Sequence, residues 1–241
     1  MIKRRFFVST SVYALAHQLG MAGAIQEVTR QLDAPGKDSL PVVRTITRFR
    51  HLEIEVQLHV DGGATYIGMA RSRAFHEAFN SGLPWISLDD DIDVTTDCVA
   101  AMADALDDLL PRIVVVPYYT RDHEHPQLTF TVPLVRHETL RNNVRLLALP
   151  KGAGAGFGFV GINRPAMQAI AEDADAIAQH LTWFDHGEKK RAIFYERLED
   201  GLWYGEDTSF FRYRVPPHVS VEALLVGTVV HAGVPLNLTT L

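Results

Sequence analysis

The sequence predicts an α/β fold: a mostly parallel sheet covered by helices. Three observations carry this. Apolar runs and helical stretches alternate β-α-β-α-β-α-β through residues 1–120, the pattern of parallel strands joined by helical crossovers. Residues 54–60 alternate Ile, Val, Leu and Val with Glu, Gln and His, the period of a strand. Residues 113–119 are a continuous apolar run, as in a strand buried on both faces.

The elements follow in order. Residues 6–9 are a first strand. Residues 13–32 have helical periodicity loosened by Gly20 and Gly23, and residues 33–40, with Pro35 and Gly36, are a loop. Gly62-Gly63 ends the period-two strand. Residues 67–80 form a helix with Ala70, Ala74, Phe75 and Ala78 on one face, closed by Ser81-Gly82. Residues 85–88 are a strand, and residues 98–110 a helix stopped at Pro111. The second half is less regular. Strands are expected at 127–134 and 144–149, and a helix at 164–179 with Pro165 in its first turn. Residues 182–202 are ambiguous, with a strand proposed at 192–198; 206–214 read as a short helix and 219–231 as extended. No linker divides the chain, so residues 1–241 read as one domain with halves at 1–120 and 121–241.

With 241 residues, 47% of them hydrophobic, the chain has enough apolar material for one sizeable core. Net charge is −6, which argues against a general polyanion-binding surface. Local basic clusters remain at Lys3-Arg4-Arg5, at 44–51 and at Lys189-Lys190-Arg191, and read first as solvated faces. Cys98 is the single cysteine. It excludes an internal disulfide and fits a reducing compartment; it is expected to be a buried structural thiol. No apolar run approaches the roughly 20 residues of a membrane span, and the start of the chain is too short in apolar residues for a signal peptide. The expected location is cytoplasmic.

The strongest chemical feature is the acidic turn. The apolar strand ending at Leu88 runs into Asp89, Asp90, Asp91 and Asp93. Carboxylates this close repel one another and resist desolvation, so a cation is expected among them. Hard oxygen ligands at a strand end suit Mg²⁺ or Mn²⁺. Three site chemistries compete with a plain solvated turn. A calcium loop of the EF-hand type needs Gly at 94 and Glu at 100, and the chain has Val94 and Ala100, so it fails. A haloacid-dehalogenase-type phosphatase would use Asp91 as nucleophile and Asp93 as acid, with Thr95 after them, but no clean copy of its later lysine and metal loop follows. An Asp-x-Asp of the nucleotide-sugar type would bind ribose or base with its first Asp and a diphosphate-bridging metal with its last.

Other constellations add to the third reading. Arg71 and Arg73 stand in the opening of the 67–80 helix, a natural diphosphate contact or simply a solvated face. Gly152, Gly154, Gly156 and Gly158 alternate with other residues; backbone so bare allows close approach of a ligand, or makes a flexible hairpin loop. No Gly-Lys-Thr follows, so it is not a P-loop. Glu206 and Asp207 open a helix, where a carboxylate is an N-terminal charge or a general base. His231 follows an apolar strand and, with Asp91, would complete a metal site.

In this order Ala70-Arg71-Ser72-Arg73-Ala74, Leu88-Asp89-Asp90-Asp91-Ile92, residues 154–159, Gly205-Glu206-Asp207-Thr208-Ser209-Phe210 and His231-Ala232-Gly233 resemble a GT-A-fold glycosyltransferase, closest to the small family-2-like enzymes of bacteria and phages. The resemblance covers residues 6–233. It implies a GT-A-like single domain with a nucleotide-sugar-binding first half and an acceptor-side, catalytic second half. It implies a nucleoside-diphosphate sugar as donor, Mn²⁺ or Mg²⁺ as cofactor, and an acceptor glycan or a hydroxymethylpyrimidine in phage DNA. By position, Asp89 and Asp91 match the Asp-x-Asp, Asp207 the base, His231 a late metal ligand, and Ser9 and Thr10 the nucleotide-base pocket. Arg136, Arg141 and Arg145 are the residues expected to track a DNA backbone. A phosphatase using Asp91 and Asp93, and a non-catalytic nucleotide- or glycan-binding module, are the alternatives. The sequence fixes no oligomeric state.

Overall fold

The computed structural model describes residues 2–10, 43–49, 52–60, 67–89, 91–107, 109–120, 124, 127–129, 136–139, 145–173, 182–185, 187–231 and 233–238. The expected helix at 13–32, the loop at 33–40, and Asp90 and Arg141 lie outside these residues. For Thr10, Arg136 and Arg145 only the backbone is described.

A nine-stranded sheet forms the centre. Its strands in chain order are β1 (Ile2–Thr10), β2 (Val43–Phe49), β3 (Leu52–Val60), β4 (Trp85–Leu88), β6 (Arg112–Val115), β7 (Arg136–Thr139), β8 (Arg145–Ala148), β9 (Phe159–Ile162) and β14 (Ser220–Leu225). The label β5 (Ile92–Val94) belongs with β15 (Thr228–His231) and β16 (Val234–Asn237) in a separate three-stranded sheet. Two hairpins complete the strands: β10 (Thr182–Asp185) with β11 (Glu188–Arg191), and β12 (Arg197–Glu199) with β13 (Leu202–Tyr204). The helices are α1 (Ile67–Ser81), α2 (Thr96–Ala105), α3 (Arg164–Glu172) and α4 (Glu206–Tyr213).

The spatial order is β2-β3-β1-β4-β9-β6-β14-β8-β7. The α/β expectation holds, but the sheet is mixed. β1 is parallel to β3 and β4, and β14 to β6. β9 lies antiparallel between β4 and β6, and β8 antiparallel to β14. No strand is expected from the sequence at 159–162, so the antiparallel β9 is a correction: its four residues, buried at every position, are too short an apolar run between the glycine loop and α3 to mark a strand by periodicity. β1 has β3 on one side and β4 on the other, so the connections diverge here, at the point where ligands bind in open α/β sheets.

Both faces of the sheet are covered. Phe6, Val8, Ile86, Leu88 and Val114 point into one core with α2 and the β5–β15–β16 sheet. Phe7, Trp85, Ile113 and Val115 point into the other, against Phe75 of α1, Met167 of α3 and Phe210 of α4. Each fully buried Phe or Leu side chain contributes about 1.5–3 kcal/mol of transfer free energy. Trp85 anchors an aromatic cluster with Phe75, Phe157 and Phe194 at centroid distances of 5.9, 5.7 and 5.9 Å. Its indole N–H, which burial would leave unpaired, donates to Ser9 Oγ at 2.8 Å.

Several boundaries differ from expectation. α2 starts after Thr95 and ends at Ala105, short of the expected Leu110. Asp107, Leu109 and Leu110 are exposed, so no buried face carries the helix on. α3 ends at Glu172, where Asp173 leaves helical geometry; its start is as read, with Asn163 Oδ1 accepting from Ala166 N–H at 3.0 Å. The strand expected at 113–119 stops at Val115, and Tyr119 makes an isolated bridge to Leu128. The strand expected at 192–198 forms only at its end, where Arg197 and Leu198 enter β12; before it the chain bends, and Ser72 Oγ accepts from the N–H groups of Ile193 and Phe194 at 3.1 and 2.9 Å, tying it to α1.

Candidate functional site

The carboxyl ends of β1, β4, β6 and β14 share one edge of the sheet, as their pairings require. Asp89 follows β4 at this edge. Its N–H donates to Gly158 O at 2.7 Å, joining the acidic turn to the loop that enters β9. Arg71, in the second turn of α1, reaches the same point. Its Nη2 donates to Asp89 Oδ2 and Oδ1 at 2.9 and 3.2 Å, and its Nη1 to Glu206 Oε1 at 2.5 Å. The guanidinium lies 5.1 Å from the centroid of the Phe157 ring and is 8% exposed. One buried cation thus fastens the end of β4 to the start of α4.

The electrostatics follow. Burial opposes the Arg71 charge, and the Asp89 and Glu206 carboxylates more than offset it, so its pKa rises further above the ordinary value. Glu206 is held above the usual carboxylate range by burial, against the pull of Arg71 and with the neighbouring Asp207 charge adding to the rise. Asp207 sits beside it in the first turn of α4. Its Oδ1 accepts from Thr208 N–H at 2.6 Å and from Thr208 Oγ1 at 3.4 Å; among the described residues Oδ2 accepts from none.

Asp91 and His231 meet at the same mouth. Their approach is set by backbone register: β5 pairs with β15 so that Ile92 lies opposite His231. The turn into β15 is fixed by Gly227, at φ +78°, where a side-chain Cβ would come within 2.3 Å of Thr95 Oγ1. His231 Nε2 lies 3.2 Å from Asp91 Oδ2, and His231 Nδ1 lies 2.6 Å from Tyr119 O. A carbonyl only accepts, so Nδ1 carries the proton. In the neutral ring Nε2 then presents a lone pair to a carboxylate oxygen, which is unfavourable unless a proton or a cation lies between. A ring N–H fixed by a carbonyl while the other nitrogen faces outward is how metal-ligating histidines are oriented. Two arrangements satisfy this contact: an imidazolium whose Nε2–H donates to Asp91, or a divalent cation held by the carboxylate and the neutral imidazole. Among the described residues no third protein ligand joins them, so phosphate oxygens and water would fill the remaining positions, as is usual for Mg²⁺.

Tyr118 was not singled out by the sequence, and it organises the site. Its buried ring packs edge-on to His231 at 4.8 Å. Its hydroxyl accepts from Gly158 N–H at 3.1 Å. Burial, and secondarily the Asp89 charge, push its ionisation up. Two of the loop's glycines are bare because of this ring: a Cβ at Gly156 would lie 2.3 Å from Tyr118 Oη, and one at Gly158 2.9 Å from it, whereas one at Gly152, at φ +75°, would meet nothing within 4 Å. The close approach expected there of a ligand is made by a tyrosine of the same chain. Gly154 is buried in the same loop.

The expected residues are thus brought together in part. Arg71, Asp89, Asp91, Glu206, Asp207 and His231 share the mouth. Arg71, expected to meet a diphosphate, has both Nη groups on protein carboxylates. Arg73 is half-buried on α1. Ser9 is buried and holds Trp85, so its position is accounted for by packing. Asp93 is exposed between buried Ile92 and Val94, turned out of the core that the acidic turn abuts. Cys98 is fully buried, and burial raises its thiol pKa well above the ordinary value, as expected of a structural cysteine. A cavity of about 240 Å³ beside Leu149, Phe211 and Pro217 lies at the opposite edge of β14, next to Ser220.

No protein-family model and no curated protein matches the chain. Among solved structures it is similar to A197 from STIV, with 13% identity, a TM-score of 0.42, and coverage of 96% of this chain and 85% of that one. A likeness this loose carries no functional inference. Among the described residues no helix is long and apolar enough to cross a membrane.

Proposed function

We propose that the chain is a cytoplasmic, divalent-metal-dependent glycosyltransferase with a GT-A-like domain, moving a sugar from a nucleoside-diphosphate donor to an acceptor hydroxyl. The observation that carries this reading is the Asp91–His231 pair, a nitrogen and an oxygen ligand 3.2 Å apart beyond the carboxyl end of β4, together with Asp207 at the start of α4, whose Oδ2 accepts from none of the described residues. Mn²⁺ or Mg²⁺, held by Asp91 and His231, would neutralise charge on the departing diphosphate. Asp207 Oδ2 takes the acceptor proton as the acceptor oxygen bonds to the anomeric carbon; the carbon–oxygen bond to the diphosphate breaks with its electron pair leaving on phosphate, and configuration inverts. Asp89 and Glu206 are held in place by Arg71, which keeps the donor-side and acceptor-side elements in register. Among the described residues Arg71 is shared by Asp89 and Glu206, with Asp207 beside Glu206, and a bound cation would lower the repulsion a diphosphate meets at these carboxylates.

The phosphatase reading is weaker, because its acid, Asp93, is turned to solvent on β5 while Asp91 faces His231. The test is calorimetry with Mn²⁺ and UDP, GDP, CDP or dTDP in turn, followed by an assay for nucleoside-diphosphate release from the matching sugar. Metal-dependent binding of one nucleotide and its release on transfer support the reading. A trapped phosphoaspartate with no nucleotide binding overturns it in favour of the phosphatase.

A further inference from the structure

We infer that Tyr118 is a ligand-binding residue of the mouth and that its hydroxyl donates a hydrogen bond to an oxygen of the donor's diphosphate. The inference rests on the glycosyltransferase reading and deepens it by naming a further residue of the same site.

Position comes first. Tyr118 lies shortly beyond the carboxyl end of β6, which stops at Val115. Its ring is held from two sides. On one side it packs edge-on to His231, with 4.8 Å between centroids, and His231 Nε2 is 3.2 Å from Asp91 Oδ2. On the other, its hydroxyl accepts from Gly158 N–H at 3.1 Å, and Gly158 O accepts from Asp89 N–H at 2.7 Å. The phenol therefore sits between the two ends of the acidic turn, next to Asp91 through the imidazole and next to Asp89 through the glycine loop. Its backbone is pinned as well: Tyr118 O accepts from Thr129 N–H at 3.0 Å and from Thr129 Oγ1 at 3.1 Å. A side chain fixed in this way holds its Oη in one place.

Hydrogen bonding then singles out the proton. A phenol both donates and accepts. The Gly158 N–H takes up accepting capacity, and among the described residues none accepts the Tyr118 O–H, although the side chain is only 8% exposed. A buried donor without an acceptor is unfavourable, and a ligand oxygen would supply the missing partner. Burial and the Asp89 charge oppose ionisation of the phenol, so the proton is kept at neutral pH.

The proton selects the atom it meets. Phosphate oxygens only accept. Arg71 is committed to Asp89 and Glu206, whereas the Tyr118 O–H is not committed to any described residue. A diphosphate on a cation held by Asp91 and His231 comes up against the ring that packs on His231. As the carbon–oxygen bond to the diphosphate breaks, charge grows on the phosphate oxygens, and a hydrogen bond to them strengthens.

The test uses the full chain with two probes, Mn²⁺ alone and Mn²⁺ with inorganic pyrophosphate. Electron paramagnetic resonance follows the metal and calorimetry the pyrophosphate. Tyr118→Phe keeps the ring against His231 and removes only the hydroxyl. The expected result is unchanged Mn²⁺ affinity, with pyrophosphate affinity lowered about ten- to a hundredfold, the range of one hydrogen bond to a charged group. In the wild type, pyrophosphate also perturbs the tyrosine ultraviolet spectrum, and Tyr118→Phe lacks that change. A hydroxyl that serves only Gly158 N–H would lower the urea midpoint of Tyr118→Phe and leave pyrophosphate affinity at the wild-type value, which overturns the inference. An equal loss of Mn²⁺ affinity also overturns it, because the hydroxyl would then be supporting His231. The wild-type spectrum decides even where the variant is unstable: pyrophosphate bound without a tyrosine change overturns the inference. No Mn²⁺-dependent pyrophosphate binding in the wild type sinks the metal-dependent reading and this inference with it; metal-dependent binding that Tyr118→Phe retains in full sinks this inference alone.

Discussion

Arg71 holds Asp89 and Glu206 together through separate Nη groups, so a single buried guanidinium joins the end of β4 to the start of α4. Removing it leaves two carboxylates without their cation, Glu206 at 13% side-chain exposure.

Arg71→Ala is therefore expected to destabilise the fold by about 3–5 kcal/mol, the usual cost of breaking a buried ion pair. Arg71→Lys restores little, because one ammonium cannot serve two carboxylates in the fork geometry of a guanidinium. Urea unfolding of the three proteins measures this. A loss under 1 kcal/mol in Arg71→Ala would mean that the pairing is incidental.

Asp207→Asn is expected to leave donor binding near normal and lower transfer by about 10²–10⁴-fold, the contribution of a general base. Steady-state kinetics with the nucleotide affinity measured separately distinguish the two effects. Unaltered transfer would make Asp207 a helix-start charge only.

Gly156→Ala brings a methyl group within 2.3 Å of Tyr118 Oη. The expected cost is about 1–3 kcal/mol of overpacking. In a Tyr118→Phe background the cost falls, because the nearest atom is gone, so the two changes are non-additive. A double-mutant cycle in urea reads the coupling. Additive changes would show that the loop relaxes away from the ring.

Cys98 is expected to resist thiol reagents in the native state and to react fully in denaturant, since burial both shields the thiol and raises its pKa. Fast native labelling at neutral pH would contradict its placement in the core.

The legible parts of the molecule were those encoded locally. The strand at 85–88 running into Asp89 and the helix at 67–80 carrying Arg71 have local periodicities that mark them. Asn163 with Pro165, and Gly205 before Glu206 and Asp207, likewise mark helix starts without tertiary help. The Asp91–His231 pair was named from order along the chain; its geometry depends on the pairing of β5 with β15, a long-range register that no local pattern encodes. Arg71 read as a ligand contact because a sequence does not reveal that its helix buries it between two carboxylates. Tyr118 lies in an apolar run that gives no sign of its role, and Gly156 and Gly158 face it through a contact of some 40 residues' separation that no local pattern encodes. The β12–β13 hairpin carries a signal: Asp200-Gly201 between Leu198 and Trp203 is a strong two-residue turn pattern.

The most direct test of the proposed site is nucleotide binding with and without metal, in wild type and Asp91→Asn. Asp91 is a partly exposed carboxylate at 23%, so its loss is expected to spare the fold. Calorimetry with Mn²⁺ and the matching nucleoside diphosphate should give metal-dependent binding in the wild type, and none in Asp91→Asn. Equal Mn²⁺-dependent affinity in the two proteins would remove Asp91 from the site and contradict the metal-dependent reading.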